Sequence, residues 1–155
     1  IADSSMEIIV PTIYKLAKNK LDALMEFMKE TGLENFWKFT VANAVAQISF
    51  FEPDRRTEVI AWFKELLTAI NRDFPSATYT DAMLNGLIVS DLIDIDATEL
   101  MSEIKTMYDN GFVNLMTCGD FTEVEKAMIR KEHLPSPEIE PDIKVRYGLL
   151  RKSVE

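Results

Sequence analysis

Residues 35–71 read NFWKFTVANAVAQISFFEPDRRTEVIAWFKELLTAIN and contain two consecutive helical patterns. In the first, small and branched apolar residues recur at spacings of three and four, which predicts a helix from about Asn35 to Phe51. Pro53 suits a turn better than a helix interior. The carboxylate of Asp54 is then expected to cap a second helix that ends near Asn71. The apolar residues of the second helix cover about half of its circumference, which indicates neighbours on more than one side.

Apolar residues recur with helical spacing through most of the remaining chain, and the pattern predicts five further helices. Three of them begin with Ser or Asp followed three residues later by Glu. This is the spacing of a capping box, in which the two side chains bind free backbone N–H groups of the first turn. The three pairs are Ser4 and Glu7, Asp96 and Glu99, and Asp120 and Glu123. Gly32 and Gly111 are expected to end helices, and Pro11 is expected to kink the first one.

The segments from Phe39 and from Asp81 align with an offset of about 42 residues, a period within the range of HEAT and armadillo repeats. In this alignment Ala44 matches Gly86, two small residues where helices can approach closely, and Asp54 matches Asp96. We therefore predict an all-α fold, a HEAT-like α-α superhelix of about seven helices. The alternative is an irregular helical bundle in which the match arises by chance.

Two regions follow from the same pattern. Residues 1–133 are predicted to form the helical repeat domain. Residues 134–155 are predicted to form a C-terminal tail that leaves the helix, since Pro135, Pro137 and Pro141 bias the residues before them towards extended backbone.

The stretch Ser90 to Asp96 (SDLIDID), followed by Glu99-Leu100, Glu103-Ile104, Gly111 and Cys118-Gly119-Asp120, extends the likeness beyond a repeat length. Over about two thirds of its length the chain resembles a bacterial family of uncharacterised HEAT-like proteins, a domain of unknown function. Some members of that family carry a zinc-binding SEC-C tail. This chain departs from them because its tail has no cysteine. The resemblance implies the fold and no mechanism.

The charge balance argues against two classes of partner. With 17 basic and 26 acidic residues the net charge is −9, whereas nucleic-acid binding requires clustered Lys and Arg. The same charge disfavours anionic membranes. The single cysteine, Cys118, excludes an intrachain disulfide and fits a reducing compartment. We predict a cytoplasmic protein that binds neither nucleic acid nor membrane and whose oligomeric state the sequence leaves open.

The candidate catalytic and metal-binding groups each have a structural explanation. Capping accounts for most acidic pairs at helix starts. Asp91, Asp94 and Asp96 alternate as calcium ligands can, but the following residues lack the Gly and Glu of an EF-hand loop. A pair of His133 with Cys118, whose pKa a helix N-terminus could lower, is the remaining nucleophile candidate. We predict no catalytic residue, no metal and no cofactor, and hence that the chain is not an enzyme.

By elimination, the sequence favours a protein-interaction or scaffold module for an unknown protein partner. The alternative is a helical-repeat enzyme or an enzyme accessory. The candidate binding surface is a polar stripe on the helix after Asp54, carried in part to the helix after Asp96 by the 42-residue offset. The polar stripe comprises Ala61, Lys64, Glu65, Thr68, Glu103, Thr106 and Asn110. The aromatic cluster around Trp37 and Trp62 is expected to be core, with Trp37, near a helix start, the exception that could contact a partner.

Overall fold

The computed structural model describes the backbone of residues 2–129 and the side chains from Met6 onward. Seven α-helices of eight residues or more and one of four residues lie in this part of the chain, which contains no strand. They are α1 (Ala2–Ala17), α2 (Leu21–Met28), α3 (Asn35–Phe51), α4 (Arg56–Asp73), α5 (Ala82–Asp94), α6 (Met101–Asp109), α7 (Leu115–Cys118) and α8 (Phe121–Ile129). The predicted all-α class is confirmed. His133 and the predicted tail, residues 134–155, lie outside the described residues.

The helices pack in two layers. In one layer α1 packs on α3, α3 on α5, and α5 on α7; in the other α2 packs on α4 and α4 on α6, while α8 contacts both α5 and α6. The core lies between the layers and is built from apolar residues with little or no exposure, among them Val45, Phe63, Leu66, Ile88, Leu92 and Ile104. That the helix pairs form a HEAT-like superhelix stays a prediction.

Two arginines at the start of α4 bind the segments that follow neighbouring helices. The guanidinium of Arg55, in the turn before α4, donates to the carbonyl oxygen of Lys18, just beyond α1, at 2.6 Å. Arg56, the first residue of α4, donates to the carbonyl oxygen of Asp96, just beyond α5, at 2.9 Å, and to the Glu99 carboxylate at 3.1 Å. The negative end of a helix dipole lies at its C-terminus, so cations suit these positions. The two arginines therefore tie the start of α4 to the segments that follow α1 and α5.

Three of the predicted caps are wrong. Asp54 lies in a 3-10 turn, Pro53–Arg55, and makes no cap hydrogen bond to α4. Asp96 has a positive φ of 52° and a second 3-10 turn, Thr98–Leu100, precedes α6, so Asp96 and Glu99 form no capping box. Helix α1 already runs from Ala2, which places Ser4 inside it.

Other predicted boundaries are confirmed. Asp120 and Glu123 form the capping box of α8, with both N–H to carboxylate distances at 2.9 Å. Gly111 follows α6 with φ of 66°, the left-handed conformation expected after a helix. Gly32 also has a positive φ, 82°, but α2 stops at Met28, so Gly32 serves the following turn instead of ending the helix.

Candidate functional site

The polar stripe lies on adjoining helices, and most of its charges pair within the chain. Lys64 on α4 and Glu103 on α6 approach to 3.6 Å, so the predicted neighbourhood across the two helices exists. Glu65 pairs with Lys29 of α2 at 2.9 Å. Thr68 and Thr106 are exposed. As a member of a candidate binding surface Glu103 is expected to be exposed, and this is wrong: its side chain is only 17% exposed because it lies against α4.

Within residues 2–129, Cys118 and the candidate cation ligands are not assembled into a site. Burial raises the pKa of the Cys118 thiol, hydrogen bonds with Thr117 and Ser90 oppose this, and the nearby Asp94 and Asp91 add to the rise. The expectation that a helix N-terminus could lower this pKa is therefore wrong. Of the three alternating acids, Asp91 is buried and Asp94 exposed. Across the described residues, no three His, Cys, Asp or Glu side chains come together in a way that could hold a metal ion.

Asp91 forms a buried pair with Asn43 across the contact between α5 and α3. The Asn43 amide nitrogen donates to Asp91 Oδ1 at 2.8 Å. Asp91 Oδ2 and Asn43 Oδ1 are both buried and accept no hydrogen bond. Burial raises the pKa of Asp91 well above its usual range, the hydrogen bond from Asn43 opposes this, and Asp94 adds to it. Protonation would remove an uncompensated charge from this buried position, which makes the neutral acid the form that suits it.

Lys38 is the largest fully buried charged side chain in the described structure, with 1% exposure. Its ammonium donates to the carbonyl oxygens of Glu30, before α3, and Tyr79, before α5. Burial lowers the pKa of Lys38, against the opposing effect of the Glu30 and Asp81 carboxylates. The side chain thus joins two loops at the N-terminal ends of α3 and α5. Its role could not be predicted from the sequence, since a single lysine in an apolar helix carries no signal of its partners.

An apolar cleft of about 380 Å³ opens between α1, α2 and the first half of α3. Its walls are almost wholly apolar, and the residues that define it here are Ile13, Leu16, Leu24, Phe27, Trp37 and Val41. Leu16 is 70% exposed and Trp37 46% exposed, both large fractions for such side chains. The volume falls in the range of ligand-binding pockets.

Trp37, near the start of α3, is exposed and is not core; that it contacts a partner stays a prediction. Trp62, by contrast, is 5% exposed and donates its indole N–H to the carbonyl oxygen of Leu21 at 3.0 Å. Leu16 follows the apolar spacing of α1, and no sequence signal distinguishes it from a core residue. The cleft was missed for that reason.

Comparison of the chain with protein-family models, with curated proteins and with solved structures found no match. None of the helices within residues 2–129 combines the length and the hydropathy that a transmembrane segment needs.

Proposed function

We propose that the chain is a protein-interaction module, built as a HEAT-like stack of helix pairs, that holds a helical segment of another protein in the apolar cleft. The observation that carries the proposal is the exposure of Leu16 and Trp37 at an open, almost wholly apolar cleft. Contiguous exposed apolar surface is costly in water and marks interaction sites. Tryptophan in particular is enriched among residues that dominate binding energy.

A helical segment fits better than a small molecule because the apolar surface does not end at the cleft. Trp37 lines the cleft and also contacts Phe36 edge to face, with the two ring centroids 5.2 Å apart. Phe36 is itself 37% exposed. An amphipathic helix can lay successive apolar side chains along such a surface. The one cysteine of the chain, Cys118, is unpaired, and we place this interaction in the cytoplasm, where thiols stay reduced.

The test compares substitutions at two exposed aliphatic side chains. Leu16→Asp puts a charge in the cleft, and Ile129→Asp puts one at a matched site, 76% exposed, on α8. Both variants should fold as the parent does, because neither side chain is core. We expect the parent and Ile129→Asp to capture proteins from a lysate of the native host that Leu16→Asp does not capture. Identical capture by all three chains would overturn the proposal.

A further inference from the structure

The first turns of α3, α5 and α7 lie side by side. The Asn35 amide donates to the Asp81 carboxylate at 2.9 Å, which joins the start of α3 to the start of α5. The backbone N–H of Asn114 donates to the carbonyl oxygen of Ala82 at 2.9 Å, which joins the start of α5 to the start of α7. Lys38, through the carbonyl of Tyr79, holds the same ends together.

Each of these three turns exposes a large apolar side chain at the same position. The second residue of α3 is Phe36, that of α5 is Met83 and that of α7 is Met116, with exposures of 37%, 46% and 91%. Trp37 and Leu115 stand beside them and are 46% and 58% exposed. We name the five residues the apolar row. It starts at the cleft, since Trp37 belongs to both.

The exposed charges within the three segments that carry the row are acidic. Within residues 30–38, 78–86 and 112–120 the sequence has four acids, Glu30, Glu34, Asp81 and Asp120, and all four are exposed. The one base in these segments is Lys38, which is buried. A ligand lying on the row therefore meets segments whose exposed charges are carboxylates, and Lys20 is the base that lines the cleft at its end.

The positive ends of the helices do not cancel this field. Asp81 accepts from the backbone N–H of Leu84, and Asn114 accepts from that of Met116, both at 2.9 Å. These contacts occupy N–H groups that an anionic ligand would use. A helix dipole amounts to about half a charge at each end and fades within a turn, so four carboxylates outweigh it.

We infer that the apolar row receives the apolar face of a basic amphipathic helix, whose lysines and arginines face the carboxylates of Glu30, Glu34, Asp81 and Asp120. The inference rests on the proposed function and names the class of its partner. Packed helices lie about 8–10 Å apart, so the row spans about 20 Å. At 1.5 Å per residue a helix of about 14 residues covers that distance. Methionines such as Met83 and Met116 suit this use, because their flexible side chains adapt to varied apolar partners.

The experiment uses two labelled peptides of about 18 residues with the same leucine face, one with lysine and one with glutamate on the polar face. Binding to the full chain is followed by fluorescence anisotropy. The lysine peptide should bind and the glutamate peptide should not. Affinity should fall as salt rises, because exposed charges are screened over about 10 Å at 0.1 M salt.

Two pairs of matched variants locate the site. Met83→Gln with Met116→Gln should weaken the lysine peptide about tenfold or more, since a few apolar anchors carry most of the affinity of an interface. Ile129→Gln, an exposed apolar change outside the row, should leave it unchanged. Glu30→Gln with Glu34→Gln should weaken the peptide more than Glu65→Gln with Glu125→Gln, which removes the same charge elsewhere.

The failures can be told apart. Equal binding of both peptides, or equal effects of row and control variants, overturns the inference. If the peptide tests fail but Leu16→Asp still abolishes the capture of host proteins, the proposed function stands. Only the row and the class of partner are then wrong. If neither Leu16→Asp nor the row variants change any binding, both proposals fail.

Discussion

The apolar row and the polar stripe differ in whether their side chains find partners within the chain. On the stripe, Lys64 faces Glu103 and Glu65 pairs with Lys29, so charges of opposite sign meet across neighbouring helices. On the row, five large apolar side chains stay 37–91% exposed, although the backbone beneath them is fixed by hydrogen bonds between α3, α5 and α7. A surface that satisfies its own groups gains less from a partner than one that leaves apolar area in water.

The same contrast separates two kinds of sequence evidence. The stripe was selected because polar residues recur outside an apolar arc, and solvation alone explains that pattern. The row can be recognised only in the structure, because Phe36, Met83 and Met116 take equivalent positions only once the helix starts are known. Substitutions beneath the row and on the stripe can measure how far the row depends on the groups beneath it, and whether the stripe contributes to stability or binding.

The largest effect is expected when the support of the row is removed. Lys38→Met keeps the length of the side chain but leaves the carbonyl oxygens of Glu30 and Tyr79 without their donor. An orphaned buried polar group costs about 1–3 kcal/mol, so we expect the free energy of unfolding to fall by about 3 kcal/mol. Urea denaturation measures it. The control is Lys105→Met on α6, whose ion pair with Asp109 is exposed at both residues, so the change should stay within about 0.5 kcal/mol; equal losses would contradict the role of Lys38.

The next effect concerns the contact that sets α7 beside α5. A Cβ at Gly86 would clash with Thr117 Oγ1 and lie 3.0 Å from Thr117 Cβ. Gly86→Ala should therefore destabilise the fold by about 1–3 kcal/mol through overpacking. It should also weaken the lysine peptide, because Leu115 and Met116 move with α7. Adding Thr117→Ala removes the closest atom and should restore part of the stability in thermal melts. A double variant no more stable than Gly86→Ala would show that the clash is relieved elsewhere.

A smaller effect, of opposite sign, is expected at the buried Asp91. Its pKa is raised in the folded chain, so the folded state holds a proton that the unfolded state releases. The stability from this proton is fully present below the unfolded pKa, about 3.9, and is lost as pH rises through the folded pKa. Asp91→Asn keeps a neutral group that can still accept the hydrogen bond from Asn43. At pH 7 it should stabilise the chain by about 1 kcal/mol or more.

Denaturation series from pH 4 to pH 8 check this prediction. The gain from Asp91→Asn should grow with pH and vanish near pH 4. Glu65→Gln, which removes an exposed carboxyl on the stripe, serves as the control for the loss of a carboxyl group. Parallel curves for the parent and Asp91→Asn would contradict a protonated Asp91.

Local patterns were enough to place several elements. The helical spacing placed α3 at Asn35–Phe51, as the structure has it, and the capping box of Asp120 and Glu123 forms as predicted. The same motif fails at Asp96 and Glu99 because Arg56, some 40 positions away in the chain, binds the carbonyl of Asp96 and the carboxylate of Glu99 instead. A capping motif is a local feature of the sequence, whereas the residues that compete for its groups can lie far away in the chain.

The binding surfaces were harder to predict, for a related reason. Periodicity identifies the apolar face of a helix but does not say which neighbour covers it. Leu16 and Met116 are therefore indistinguishable from core residues in the sequence, although they are 70% and 91% exposed. Trp37 was singled out only because helix starts are less covered than helix middles. The 42-residue offset also misaligns α4 with α6. The 3-10 turns that precede these two helices begin at Pro53 and Thr98, which are more than 42 positions apart.

The smallest effect is expected on the stripe itself. Glu65→Lys reverses a side chain that is 61% exposed and breaks only its ion pair with Lys29. Exposed pairs contribute about 0–1 kcal/mol, so stability should change by less than about 0.5 kcal/mol, and host proteins should still be captured. Glu103→Lys should cost more, because that side chain is 17% exposed and the new charge would face Lys64. Both are measured by urea denaturation and by capture. Loss of captured proteins with Glu65→Lys, together with their retention by Leu16→Asp, would move the binding face from the cleft and the row to α4 and α6.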